Sequence, residues 1–266
     1  MAGEAAVERL AGVRCFLLDM DGTIYLGNRL LPGASALLER LQERGPEYLI
    51  LTNNSSRSKH LYARKLHGLG LGVPAERILT SGEATAIYLN MLKPGARVYL
   101  VGTPALAEEF ASSGFNLVQD VPDFAVLGFD TTLTYEKLWR LCDFVRAGVP
   151  YVATHPDINC PLEGGFMPDI GAMIAFVEAS TGRRPTIIGK PNRPIIEAVT
   201  ARTGIPAAQM CMVGDRLYTD IAMGQAGIMT VLVLSGESRR DDIPASPFKP
   251  DLVVENLAVL LALLPE

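Results

Sequence analysis

The chain has 266 residues, 48% hydrophobic and 20% charged, with a mean hydropathy of +0.22. That composition supplies a sizeable core and excludes global disorder. The 24 basic and 29 acidic side chains leave a net charge of −5, so there is no basic excess of the kind a general nucleic-acid binder carries. The longest apolar run, Leu257 to Leu264, is far shorter than the ~20 residues a bilayer crossing needs. The opening MAGEAAVERL has acids before its first base and no apolar stretch, so no secretory signal is expected there. Cys15, Cys142, Cys160 and Cys211 are scattered, which fits reduced buried thiols in a cytoplasmic protein and disfavours a disulfide framework or zinc site.

In chain order, short apolar runs alternate with amphipathic ones. Strands are predicted at Val13–Leu18, Tyr48–Leu51, Val98–Val101, Ala125–Phe129, Tyr151–Ala153, Thr186–Ile188, Met210–Val213 and Thr230–Leu234. Most are apolar at nearly every position, as strands buried on both faces are. Helical spacing marks Ala34–Arg44, Arg193–Thr203 and Leu257–Leu264. The alternation predicts an α/β fold built on a parallel sheet. Trp139 is expected in core or interface packing, and Ser235–Lys249 as a solvated loop. Tyr25 and Leu26 either line a pocket mouth or begin a flap.

In an open α/β sheet, ligands bind at the carboxyl ends of the strands. Four predicted strand ends carry polar residues of one theme. Asp19-Met20-Asp21-Gly22-Thr23 places two carboxylates close together, which need a cation or a shared proton. Mg²⁺ suits such oxygens, although D-x-D-G also occurs in plain turns and calcium loops. An EF-hand loop would need Glu where this chain has Leu30. Thr52-Asn53-Asn54 offers a hydroxyl and amides suited to phosphate oxygens, or a helix N-cap. Gly189-Lys190-Pro191 places an ammonium at a strand end, or a lysine in an exposed loop. Gly214-Asp215, with Asp220 five residues on, supplies a further acid pair, of which Asp220 also suits an N-cap.

Taken together and in this order, the four motifs resemble those of the haloacid dehalogenase superfamily of phosphohydrolases over nearly the whole chain. The resemblance implies a Rossmann-like core and a phosphomonoesterase acting on small phosphorylated metabolites, a sugar phosphate or nucleoside monophosphate, and on p-nitrophenyl phosphate. It implies Asp19 as the nucleophile that forms an aspartyl-phosphate and Asp21 as acid and base. It implies Mg²⁺ held by Asp19, the carbonyl of Asp21 and Asp215, with Asp220 orienting neighbours from just outside. Thr52, the amide of Asn53, and Lys190 would bind phosphoryl oxygens, with Asn54 beside them. An acid at position 21 sets the chain apart from dehalogenases and favours phosphatase or phosphomutase chemistry.

About 130 residues separate the second and third motifs, far more than one βα unit requires. The excess resembles the class IIA cap of the p-nitrophenyl phosphatase (NagD-like) branch. The expected division is a catalytic core of residues 1–80 and 186–266 with a cap of residues 81–185. Ala153-Thr154-His155-Pro156-Asp157 and Gly164-Gly165-Phe166-Met167-Pro168-Asp169-Ile170-Gly171 resemble the substrate-facing cap loop, with His155 where many members carry Asn. His155 is either substrate-binding or a surface or capping residue. The branch also implies homodimerisation through the cap. Alternatives are a phosphomutase, disfavoured because no cap fits between motifs one and two, and a non-catalytic metabolite-binding protein on this fold.

Overall fold

The computed structural model describes residues 2–162 and 165–265; Gly164 of the cap-loop motif lies outside the described residues. The chain forms two compact units. The first comprises Met1–Leu51, Tyr62–Leu79 and Val199–Glu266, and the second Thr52–Leu61 and Thr80–Ala198.

The first unit is organised by a six-stranded sheet ordered Leu252–Val254, Met229–Val233, Met210–Gly214, Cys15–Leu18, Glu47–Thr52, Ile78–Thr80. Cys15 pairs in parallel with both Met210 and Glu47, so the first strand lies at the centre. Chain order then runs outward in opposite directions from it. The loops leaving Leu18 and Gly214 therefore part company at a switch point, where an α/β sheet opens a crevice for ligands. Every residue of Cys15–Leu18, Met210–Gly214 and Met229–Val233 is buried, which explains their unbroken apolar runs. Phe16, Leu18, Val213 and Val231 pack with Leu37, Leu38 and Leu41 of the helix Ala34–Arg44 and with Leu257 and Leu260 of Leu257–Leu263. Each such side chain contributes about 1.5–3 kcal/mol by leaving water.

The second unit carries a five-stranded, wholly parallel sheet ordered Thr186–Ile187, Tyr151–Ala153, Phe124–Leu127, Arg97–Val101, Asn116–Leu117. The helices Ser81–Leu92, Pro104–Ser112, Tyr135–Arg146 and Ile170–Thr181 begin at Thr80, Thr103, Thr134 and Asp169. At each, the capping side-chain oxygen accepts a backbone N–H of the first turn, one of the donors a helix start leaves without a partner. An antiparallel hairpin, Asn159–Leu162 with Gly165–Pro168, precedes the last of these helices.

Several expectations need correction. Ile78–Thr80 and Leu252–Val254 are strands that the sequence does not announce, because a run of three residues carries no readable period. The predicted Ala125–Phe129 is Phe124–Leu127, and Thr230–Leu234 is Met229–Val233. Trp139 is not packed in a core: it is 57% exposed on the helix Tyr135–Arg146, with Tyr135 one turn before it also exposed. Among the described residues no helix is long and apolar enough to cross a membrane.

Candidate active site

In the first unit, the strand Cys15–Leu18 ends at Asp19, whose N–H donates to the carbonyl of Val213 at 2.9 Å. The neighbouring strand ends at Gly214, and Asp215 follows. A side chain at position 214 would place its Cβ 2.3 Å from the Asp220 carboxyl, so glycine there lets Asp220 approach the strand end. One carboxylate oxygen from each of Asp19, Asp215 and Asp220 lies within 4.8 Å of the others. Asp215 and Asp220 are buried and Asp19 half-buried. Asp220, which the family resemblance puts just outside the ligand set, stands in the N-cap position of the short 3-10 turn Ile221–Ala226, with its carboxylate among the three.

Burial, and then the charges of Asp19 and Asp220, push the Asp215 carboxyl well above the usual carboxylate range. Its Oδ2 accepts the N–H of Glu237 at 2.7 Å, while its buried Oδ1 has no hydrogen-bond partner among the described residues. A buried acceptor left unmatched beside two more carboxylates is costly unless a cation or proton joins them. Three convergent carboxylates with one spare oxygen suit a hard divalent ion.

The loop after the strand Met229–Val233 encloses this group. Ser235 Oγ donates to the carbonyl of Gly22 at 2.8 Å, and the N–H of Ser238 to the carbonyl of Asp215 at 3.1 Å. A Cβ at Gly22 would meet Asp215 Oδ2 at 2.3 Å and one at Gly236 would meet it at 2.0 Å, so two glycines let the backbone close on the carboxylate. The start of the supposed solvated loop is thus part of the site, and Glu237 beyond it accepts from Tyr218 OH (2.7 Å) and pairs with Arg216 (2.9 Å). The rule that identifies the other strand ends would have found Ser235 and Gly236.

Asp21 is exposed, and its side chain is not among the three that converge. Its Oδ2 accepts from Tyr25 OH at 3.2 Å. Tyr25 itself is fully buried, while Leu26 is exposed.

The second unit holds the other candidates. Lys190 is not a loop lysine: only 2% of it is exposed. The Asn53 amide grips its backbone from both sides, Oδ1 accepting from Lys190 N (2.7 Å) and Nδ2 donating to Lys190 O (3.0 Å). The same Nδ2 donates to Asp157 Oδ1 at 3.0 Å. A Cβ at Gly189 would fall 2.6 Å from Asn53 Oδ1 and 2.7 Å from the carbonyl of Thr154, so the grip requires glycine there. Thr52 Oγ1 accepts the N–H of Asn54 at 3.2 Å, and Asn54 Oδ1 accepts the N–H and hydroxyl of Ser56 at 2.9 and 2.7 Å. These bonds make a turn rather than a helix cap, because the next helix begins only at Lys59.

His155 is buried, not a surface residue. Its Nδ1 accepts the N–H of Asp157 at 3.3 Å, and its Nε2 lies 3.5 Å from Oδ1 of Asp169, the residue that caps the helix Ile170–Thr181. The sequence motifs contain Asp157 and Asp169 without marking them as site residues. Their position after a strand and before a helix is the signal that marks them.

Comparison with known proteins gives the family. Residues 16–116 match the model of a family described as haloacid dehalogenase-like hydrolase, and residues 187–260 match a related hydrolase-like model. Dihydroxyacetone phosphatase of Corynebacterium glutamicum is 34% identical over 92% of this chain and 90% of its own length. The 5'-nucleotidase YutF of Bacillus subtilis is 34% identical over 91% of this chain and 95% of its own. The crystal structure of 4-nitrophenylphosphatase from Thermotoga maritima superposes with a TM-score of 0.92 at 46% identity, over 96% of this chain and 98% of that one. Fold, carboxylates and relatives together define a phosphoric monoester hydrolase. The chain belongs to the haloacid dehalogenase-like hydrolases.

Proposed function

We propose that this chain is a Mg²⁺-dependent phosphatase of small phosphorylated metabolites that works through an aspartyl-phosphate on Asp19. The observation that carries this reading is the convergence of Asp19, Asp215 and Asp220, where a buried Asp215 oxygen has no hydrogen-bond partner among the described residues. Asp19 and Asp215, with the carbonyl of Asp21, would hold the ion, and the placement of Asp220 adds a fourth oxygen source. Bound Mg²⁺ would offset the repulsion between the attacking carboxylate and an anionic phosphate.

The carboxylate of Asp19 attacks phosphorus, and Asp21 gives a proton to the departing alkoxide. Asp21 then takes a proton from the water that cleaves the acyl phosphate, restoring Asp19. Lys190, Thr52 and the backbone N–H of Asn53 are the groups suited to phosphoryl oxygens. The side chain of Asn53 has a different task, since both its ends are spent on Lys190 and Asp157. Relatives named as a dihydroxyacetone phosphatase and a 5'-nucleotidase support a small organic phosphate as substrate. The functional division is read as residues 1–80 with 186–266 for chemistry and 81–185 for substrate choice. A homodimer formed through the latter and a cytoplasmic setting complete the reading, supported by the family resemblance and by four scattered cysteines that form no disulfide among the described residues.

Release of p-nitrophenol from its phosphate ester tests it. The wild type should turn over with Mg²⁺, stop with a chelator and recover on re-addition. Asp19→Asn should lose on the order of 10⁴-fold or more in kcat. Full activity in Asp19→Asn, or an inert wild type across a panel of phosphomonoesters, sinks the reading.

A further inference from the structure

The carboxyl proposed to protonate the leaving group is exposed, yet a fully buried phenol holds one of its oxygens. Tyr25 OH donates to Asp21 Oδ2 at 3.2 Å and lies 3.7 Å from Met20 Sδ. The phenol is well anchored. Its ring is 0% exposed, and Lys65 Nζ sits 3.7 Å above the ring centroid, within cation–π range. Backbone bonds tie the same segment to the first motif, from Gly22 N to Tyr25 O at 2.8 Å and from Tyr25 N to Met20 O at 3.2 Å. Asp21 and Tyr25 also form a β-bridge, and Tyr25–Leu26 pairs with Arg29–Leu30 in a small hairpin.

We infer that Tyr25 is a positioning residue for the reaction, its hydroxyl fixing the orientation of the Asp21 carboxyl and the oxygen from which the proton departs. A phenol at neutral pH carries its hydrogen and can donate it. With Oδ2 engaged as acceptor, the transferable proton belongs on Oδ1. An exposed aspartate otherwise rotates freely about its side-chain torsions, and only a fraction of its orientations would face the leaving oxygen. The anchored ring removes that freedom without occupying the donor oxygen. The idea rests on Asp21 being the general acid.

The consequence is selective. An alkoxide leaves poorly without a proton, whereas p-nitrophenolate leaves with little help. Tyr25→Phe keeps the ring, its packing and its contact with Lys65. It should lower kcat/KM on a simple alkyl ester such as glycerol phosphate about tenfold, the order expected for one lost hydrogen bond. On p-nitrophenyl phosphate kcat/KM should stay within about twofold, because it reports the steps up to departure of the alcohol, before Asp21 acts as base, and that ester does not need the acid. A purely structural role would lower both alike. In an Asp21→Asn background, Tyr25→Phe should change neither substrate further. Equal losses on both esters, no loss on either, or an additional loss in the Asp21→Asn background overturns the inference. Asp21→Asn alone separates it from the reading beneath it. If the loss of kcat/KM in that variant is itself unselective between the two esters, the general-acid assignment falls and Tyr25 with it. If it is selective and Tyr25→Phe is not, only the role of Tyr25 falls.

Discussion

Asn53 shows how a residue's type can be legible while its direction is not. The sequence marks it as an amide at a strand end, suited to phosphate. In the structure its side chain holds the backbone of Lys190 by both donor and acceptor and also reaches Asp157. An amide can do this because it carries both functions on one planar group. Asn53→Asp is nearly isosteric, but it sets an oxygen against the carbonyl of Lys190 and the carboxylate of Asp157. It should destabilise the protein by about 3 kcal/mol at neutral pH, since a buried repulsion replaces two bonds. Chemical denaturation measures the loss, and a variant within about 0.5 kcal/mol of the wild type refutes the fastening role. The residues legible in the sequence were those whose chemistry is rare at a strand end, namely Asp19, Asp21, Lys190 and Asp215. Tyr25 and Ser235 were harder, because an aromatic or a serine next to a strand has many ordinary uses. Only the fold shows Tyr25 OH on Asp21 and Ser235 Oγ on Gly22.

At the scale of elements, the helices Ser81–Leu92 and Pro104–Ser112 meet through an acidic contact that no sequence pattern announces. Gly82 makes room for it: a Cβ there would lie 2.6 Å from Leu106 and 2.8 Å from Glu109 Oε2. Glu109 Oε2 lies 3.5 Å from Thr80 Oγ1, while the buried Oε1 has no hydrogen-bond partner among the described residues. Glu83, nearby, pairs with Lys59 at 2.7 Å. Burial first, and then the charge of Glu83, push the Glu109 carboxyl up to about 7, against the pull of Lys59 and the Thr80 bond. The folded chain therefore keeps this proton where the unfolded chain has lost it. The stabilisation is complete below the ordinary carboxyl value of 4.5 and is lost as pH rises through about 7. Glu109→Gln mimics the protonated form and should flatten that loss. It should be near neutral at pH about 4.5 and more stable than wild type by about 1–2 kcal/mol at pH about 8. Parallel denaturation curves at the two pH values check this, and an equal difference at both would count against it. The parallel sheets were readable from unbroken apolar runs and the helices from their spacing. This contact was not, because it depends on which helix faces which.

At the scale of the molecule, the three convergent carboxylates all belong to one of the two compact units. A ligand that binds only the folded state stabilises whatever must stay folded to bind it, by an amount set by its concentration over Kd. In the ion-free protein the buried carboxyl of Asp215 faces two like charges, a local cost that a divalent cation relieves. Two units of this size can unfold in separate steps. Calorimetry should then resolve two transitions, of which Mg²⁺ at about 100 times its Kd raises one by several degrees, equivalent to about 2.7 kcal/mol. The second transition should stay in place. Asp215→Asn should remove the Mg²⁺ response and, by taking away a buried like charge, raise the melting point of the ion-free protein. Sodium chloride at matched ionic strength controls for screening, which acts on exposed charges throughout the chain. If Mg²⁺ moved both transitions equally, or if Asp215→Asn kept the full response, the ion would not be held by this cluster alone. The calorimetric shift does not depend on knowing the substrate, so it tests the metal site apart from the chemistry.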